Sequence, residues 1–436
     1  MSAPGPAISP ELLAHAQRLS LAAKQAARPL SALSSDQKNA ALSALAELLT
    51  DPAHVQRVLS ENARDLEAGA QAGLSAALLD RLRLDAGRLR SLAQAVRDII
   101  ALPDPVGEIV ETWQRPRGFS VQRTRIPLGV LLLIYEARPN VTIDAAALSL
   151  KSGNAVILRG GKEARHSNLA LATLLQQALK ATGLPPDACL FVDNPDRGLL
   201  LALLQQSGAI DLCIPRGGEA LIRFVVEHAR IPVVQHYQGV CHLFVDERAD
   251  LAMALDLIEN GKCSRPAVCN ALECLLVHRD VAAQLLPQLA CRVAPHGVEL
   301  RVEDDARALL PSPLPTGLRV TSAKPTDFGR EFLDLTLAVR IVPSLASALD
   351  HIAQFGSLHT EVIVTQDAAH AQRFQREVCA SFVGWNVSTR FNDGGELGLG
   401  AEVGISTSKL HAFGPMGLRE LCTTKFVVTG SGHVRT

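Results

Sequence analysis

The pattern of apolar and polar positions divides the chain into two kinds of territory. Leu89, Leu92, Val96, Ile99 and Ile100 recur at three- and four-residue steps between Arg88, Arg90, Arg97 and Asp98. That spacing predicts an amphipathic helix. Leu74, Leu78, Leu79 and Leu82 repeat the pattern, so the first hundred residues read as helical. Leu102-Pro-Asp-Pro105 stops it, because proline lacks the amide N–H and restricts the residue before it. Residues 108–125 then read as two short extended segments around the turn Arg115-Pro-Arg-Gly118.

Compact apolar runs follow at Val130–Tyr135, Ala155–Leu158, Leu190–Val192, Ile210–Ile214 and Pro232–Val234. Helical stretches such as Asn168–Ala181 and Glu219–His228 separate them. A second series runs through Leu243–Val245, Leu275–Val277, Leu337–Val342, Val362–Val364 and Phe382–Val387. Buried strands alternating with helices predict parallel sheets built from crossover units, hence an α/β chain in two halves. Residues 303–328 read as loop with short helices, and Thr423–Val428 as a terminal strand suited to a sheet edge.

Composition narrows the function classes. With 43 Lys plus Arg against 44 Asp plus Glu among 436 residues, the net charge is −1, which argues against a general binder of nucleic acid or anionic membrane. Aromatics are only 4%, so the core is aliphatic, as suits helices on a parallel sheet. No apolar run is long enough to span a bilayer, and the start shows no basic region followed by an apolar run. The nine cysteines include no CxxC pair, and the reading is free thiols in a cytoplasmic protein. The thirteen histidines show neither HxxxH nor HExxH, so no metal site is expected, and His351, His359 and His411 read as surface or turn residues.

Five segments carry candidate chemistry. Cys269 sits in Ser264-Arg-Pro-Ala-Val-Cys269, a turn-rich stretch before an apolar run. There Arg265 or a helix N-terminus could favour the thiolate; most cysteines, however, only pack. Arg138-Pro-Asn140 follows a strand, where an Asn amide can donate to an oxyanion, although Pro-Asn is also ordinary turn chemistry. Arg159-Gly160-Gly161-Lys162 and Arg216-Gly217-Gly218 each follow a strand and have the glycines and cations of a phosphate cradle; either could be a plain turn. Neither is GxGxxG. The fifth segment, Ser388-Thr-Arg390 through Ser406-Thr407, is a long glycine-rich stretch after a strand.

Together these motifs carry a family likeness. Tyr135-Glu-Ala-Arg-Pro-Asn-Val-Thr142, Lys151-Ser-Gly-Asn154 through Lys162-Glu163, Asp193-Asn-Pro-Asp-Arg197, Ile214-Pro-Arg-Gly-Gly218, Gly239-Val-Cys-His242, Arg265-Pro-Ala-Val-Cys-Asn270, Ser388-Thr-Arg-Phe391 and His411-Ala-Phe-Gly-Pro-Met-Gly-Leu418 resemble the gamma-glutamyl phosphate reductase family of the aldehyde dehydrogenase superfamily. The likeness runs nearly end to end.

The resemblance implies an aldehyde dehydrogenase-like fold: a Rossmann-type cofactor domain at 1–107 and 127–235, a catalytic domain at 236–408, and a small β oligomerisation element at 108–126 and 409–436. It implies NADPH-dependent reduction of L-glutamyl 5-phosphate to L-glutamate 5-semialdehyde, the second step of proline synthesis from glutamate. Cys269 becomes the nucleophile and Asn140 the oxyanion donor. Arg159, Gly160, Lys162, Arg216, Gly217, Gly218 and Glu331 become cofactor residues, with Glu331 at the nicotinamide ribose and Arg159 and Lys162 at the 2′-phosphate. Arg138, Arg390 and Ser406 become candidates for the substrate's amino-acid end or its phosphate. Hydrolytic relatives carry a glutamate base where this chain has His236-Tyr-Gln-Gly239, with no carboxylate to activate water. A homo-oligomer is expected, and a glutamate 5-kinase partner would suit a labile acyl phosphate. The rival readings are a dehydrogenase of the same fold that releases a free acid, and a non-catalytic binding protein that kept the fold.

Overall fold

A computed structural model describes residues 8–235 and 237–435. His236, at the expected domain boundary and in the segment without a carboxylate, lies outside the described residues, as does the chain start through residue 7. The chain forms two compact units.

The first unit holds residues up to 235 together with Leu399–Gly404 and the segment from Met416 onward. Its centre is a parallel sheet in the order Cys189–Phe191, Ala155–Arg159, Val130–Tyr135, Leu212–Arg216. Every residue of Val130–Tyr135 is buried, as its unbroken apolar run requires. The segment Pro232–Val234, expected as a strand, makes only a single bridge from Val233 to Cys213. Proline removes one ladder donor there, and the apolar run is too short to hold more.

Helices cover this sheet. Ala86–Ala101 turns Leu89, Leu92, Val96 and Ile99 inward. The buried Lys38 pairs with Asp104 at 2.8 Å, anchoring the Pro-Asp-Pro stop against the helical layer. A separate three-stranded antiparallel sheet joins Ile109–Gln114, Ser120–Pro127 and the terminal strand Cys422–Thr429. Residues 409–415 are not part of it; Gly414–Pro415 pairs instead with Ile405–Ser406 in the second unit.

The second unit is a seven-stranded parallel sheet. Its order is Arg319–Ser322, Glu299–Val302, Thr336–Val342, Leu272–His278, Cys241–Val245, Thr360–Val364, Phe382–Trp385. The two-residue alternation of a strand sends Leu243, Leu275 and Leu337 into one apolar layer, and Phe244, Leu276 and Ala338 into another. Helices Leu251–Cys263 and Arg279–Val293 cover the first layer, and Leu345–Phe355 and Ala368–Glu377 the second. The stretch read as loop with short helices contains the helix Asp304–Ala308 and one edge strand, Arg319–Ser322. Glu299 and Arg301 hide the neighbouring strand from an apolar reading. They alternate with buried Leu300 and Val302, and Arg301 bonds Asp327 at 2.7 Å.

Candidate active site

In the first unit the candidate loops follow adjacent parallel strands, so they gather at one sheet edge, where α/β sheets bind ligands. Asn140 opens the helix Asn140–Lys151 and is exposed, as is Arg138. The Asn140 amide Nδ2 donates to Asp144 Oδ2 at 3.1 Å, one helical turn later. Burial pushes the Asp144 carboxyl up to about 6, while the Asn140 hydrogen bond and the charge of Arg216 act to lower it.

The two glycine loops touch the Tyr135–Arg138 segment closely. A Cβ on Gly161 would lie 3.2 Å from the Ala137 nitrogen, and one on Gly217 would lie 2.6 Å from the Glu136 carboxyl carbon. The Gly218 amide donates to Glu136 Oε1 at 2.8 Å, at the N-terminus of the helix Glu219–His228. A carboxylate is therefore already seated where a phosphate cradle was expected. Gly160 also serves a close approach, since a Cβ there would lie 3.1 Å from the Tyr135 ring. Arg159 bonds the Pro195 carbonyl at 3.0 Å, and its buried Nε has no hydrogen-bond partner among the described residues. Burial, then the like charge of Arg197, lowers Arg159 from its ordinary value. Lys162 is exposed beside it in sequence.

In the second unit the chemistry collects at the opposite end of the strands. Cys269 lies in the turn between the helix Leu251–Cys263 and the strand Leu272–His278, half-buried. Asn270 pins this turn, its Nδ2 donating to the carbonyls of Arg390 at 3.2 Å and Asn392 at 3.0 Å. Sequence inspection did not single out that clamp. The buried Cys241 thiol donates to the Cys269 carbonyl at 3.2 Å. Cys189 and Cys422 are pushed up to about 12 by burial, and Cys241 likewise upward, so these thiols stay protonated packing groups. Cys269 instead stands near Arg390. Burial and then Arg265 lower that guanidinium, and the Cys269 and Cys241 sulfurs act to raise it. Arg265 and Arg390 line one cleft of about 1020 Å³ with Asn260, Ser264, Ser388 and Glu396.

Glu331 joins Cys269 through a glycine. A Cβ on Gly239 would collide with the Cys269 carbonyl oxygen and lie 2.9 Å from Glu331 Oε1. The Glu331 loop is held from beneath. Lys262 and Glu273, both fully buried, pair at 2.6 Å. Lys262 also donates to the Asp334 carbonyl at 3.0 Å, and the Leu333 amide donates to Glu273 Oε1 at 3.2 Å. Leu333 takes a left-handed φ of 57°, a strained conformation for a branched side chain that these bonds hold in place. Ser406 is buried, and its hydroxyl accepts from the Ser408 amide at 3.1 Å within a turn. That hydroxyl is spent on local structure.

Two of the histidines are not where the spacing placed them. His351 and His359 are buried, and only His411 is exposed. His242, Cys274 and His351 bring ligand-type atoms within 4.8 Å of one another, which no sequence spacing foretold. Arg340 donates to His351 Nδ1 at 3.2 Å, so the proton of the neutral ring sits on Nε2, facing Cys274 Sγ at 3.7 Å. Burial lowers His351 to about 3, which keeps it neutral. Arg340, His351 and Cys274 thus form a hydrogen-bonded chain, while His242 Nδ1 faces the buried Glu361 carboxylate at 2.9 Å.

Comparison with known proteins agrees with these motifs. The aldehyde dehydrogenase family model matches residues 13–307. A gamma-glutamyl phosphate reductase of Anaeromyxobacter sp. (strain K) is 56% identical over 424 residues, covering 97% of this chain and 98% of that one. One from Xylella fastidiosa (strain 9a5c) is 52% identical, covering 97% of this chain and all of its own. The crystal structure of gamma-glutamyl phosphate reductase from Thermotoga maritima superposes with a TM-score of 0.93 at 40% identity, over 97% of this chain and 100% of that one. An acetylating aldehyde dehydrogenase from Geobacillus thermoglucosidasius, at 15% identity and a TM-score of 0.71, shares the fold. The chain belongs to the aldehyde dehydrogenase family, in its gamma-glutamyl phosphate reductase branch.

Proposed function

We propose that this chain catalyses the reduction of L-glutamyl 5-phosphate to L-glutamate 5-semialdehyde and phosphate, the second step of proline synthesis from glutamate. It is an oxidoreductase of the aldehyde dehydrogenase type that uses a nicotinamide cofactor. The observation that carries this reading is a half-buried Cys269 beside Arg390 and Arg265, in a chain more than half identical to named reductases over nearly its whole length.

In the proposed chemistry the Cys269 thiolate attacks the acyl carbon of the substrate. The C–S bond forms first and gives a tetrahedral oxyanion; its collapse breaks the C–O bond to phosphate, which leaves as an anion into the field of Arg390 and Arg265. Asn140 stabilises the oxyanion; one such donor contributes about 10²–10³ in rate. The nicotinamide, when bound, supplies the hydride that reduces the thioester. The thiohemiacetal on Cys269 then collapses, releasing the aldehyde and restoring the thiolate. Tyr237–Gly239 offers no carboxylate to activate water there, which favours reduction over hydrolysis.

The residues fit an anionic dinucleotide. Arg159 leaves a buried Nε without a partner next to Arg197, with exposed Lys162 nearby in sequence. These cations would hold a 2′-phosphate, making NADPH the preferred form, while Arg216 serves the diphosphate and Glu331 the nicotinamide ribose. Arg138 is placed with the substrate's amino-acid end. The three-stranded sheet exposes Phe426, Val428 and Ile109, an apolar strand surface suited to a second copy of this chain. A glutamate 5-kinase remains the expected supplier of the acyl phosphate. No helix among the described residues is long and apolar enough to cross a membrane, in keeping with a cytoplasmic enzyme.

Phosphate dependence tests the reading. With glutamate semialdehyde and oxidised cofactor, steady turnover is expected only when inorganic phosphate is supplied. Equal turnover in phosphate-free buffer would favour a dehydrogenase that releases the free acid.

A further inference from the structure

An asparagine amide has a donor end and an acceptor end of nearly the same shape. Which end faces a neighbour is decided by hydrogen bonding. For an amide that must donate to a developing negative charge, the wrong orientation presents a carbonyl oxygen and repels it. Asn140 opens its helix and is exposed, so packing alone does not fix its amide.

Asp144 supplies the missing constraint. It lies four residues on, the spacing that stacks side chains on one helix face. Its Oδ2 accepts from Asn140 Nδ2 at 3.1 Å. An ionised carboxylate only accepts, so it selects the Nδ2 end of the amide and excludes the flipped orientation. One N–H of that nitrogen is thereby held, and the other is directed away from Asp144. The charge is costly here, because burial opposes it, and Arg216 partly offsets the cost. An unneeded charge at a desolvated position is a local inconsistency of the kind found at functional sites.

We propose that Asp144 is a positioning residue: its carboxylate fixes the orientation of the Asn140 amide, so that the remaining N–H of Nδ2, and not Oδ1, is the group offered to substrate. This rests on the reading of Asn140 as the oxyanion donor. The Asn140 hydrogen bond, and then the charge of Arg216, favour the ionised, acceptor-only form against the effect of burial.

The test is a double-mutant cycle of Asn140→Ala and Asp144→Asn, with kcat, KM and Tm measured for each variant and for the double. Asp144→Asn keeps the shape but both donates and accepts, so it no longer selects an orientation. Its kcat is expected to fall about ten-fold, the value of one charge-assisted hydrogen bond, with KM values nearly unchanged. Its Tm is expected to hold or rise, because a half-buried carboxylate whose charge burial opposes has been removed. A merely structural role would lower Tm and kcat together. In the Asn140→Ala background the second substitution should cost nothing further, since Asp144 acts only through Asn140. If Asn140→Ala slows the reaction but Asp144→Asn does not, or if the two losses multiply in full, the positioning role is overturned while the oxyanion reading stands. If Asn140→Ala itself leaves kcat intact, the oxyanion reading falls and the inference falls with it.

Discussion

Replacing Lys262 by Met keeps most of a buried side chain and removes its charge. Both members of the Lys262–Glu273 pair are fully buried, with Nζ and Oε2 2.6 Å apart. After the substitution the carboxylate keeps the Leu333 amide but loses the Lys262 ammonium, and the Asp334 carbonyl loses a donor. Burial already pushes Glu273 up to about 7, against the pull of Lys262. The sign of the pH effect follows. A carboxyl that holds its proton more tightly folded than unfolded (about 4.3 unfolded) makes the fold less stable as pH rises from about 4.5 to about 7. Without Lys262 the carboxyl moves further up, so the decline continues above that range.

Breaking a buried ion pair costs about 3–5 kcal/mol. That loss is expected in urea titrations at pH 8. At pH 5.5, where the carboxyl is protonated in either protein, the ionic part of the pair is already gone and only the Lys262 hydrogen bonds to Glu273 and to the Asp334 carbonyl are lost, about 1–2 kcal/mol. Adding Glu273→Leu should recover most of the loss at pH 8, because neither charge then remains buried. A loss below about 1 kcal/mol at pH 8, or the same loss at both pH values, would refute the reasoning.

Two further outcomes follow from the same geometry. Lys162→Ala is expected to reduce the preference for NADPH over NADH at least several-fold in kcat/KM, leaving turnover with NADH nearly unchanged; an unaltered preference would remove Lys162 from the 2′-phosphate. Gly239→Ala places a methyl against the Cys269 carbonyl and Glu331. Turnover should fall by more than ten-fold and Tm should fall with it, because the methyl meets backbone that must shift, whereas full activity would show that the two groups need not converge there.

The strands legible from sequence are those with unbroken apolar runs, such as Val130–Tyr135 and the stretch Ala155–Leu158, because burial on both faces leaves no polar position to confuse the pattern. Glu299–Val302 was not legible, since half its residues are charged and satisfied by ion pairs that the sequence does not reveal. The candidate site divides in the same way. Asn140 and Cys269 stand in motifs, and the turn before Leu272–His278 was readable as turn. Their supports are long-range. Glu136 meets Gly218 across 82 residues, and Lys262 reaches Asp334 across 72. The Asn140–Asp144 contact is the exception, because a four-residue spacing at a helix start was open to inspection. In the second unit Cys269 and Glu331 precede their strands, so the rule that ligand loops follow parallel strands does not locate them.

The central claim is that Cys269 carries the acyl group and that no water-activating base removes it. A single-turnover experiment isolates both points. Enzyme is mixed with glutamate semialdehyde and oxidised cofactor in phosphate-free buffer, and reduced cofactor is followed by absorbance. The account predicts a burst of no more than one equivalent per chain, then near arrest, with the acyl mass found on the Cys269 peptide. Added phosphate should restart turnover, and Cys269→Ala should show no burst. Steady phosphate-free turnover, or a burst that survives loss of Cys269, would contradict it.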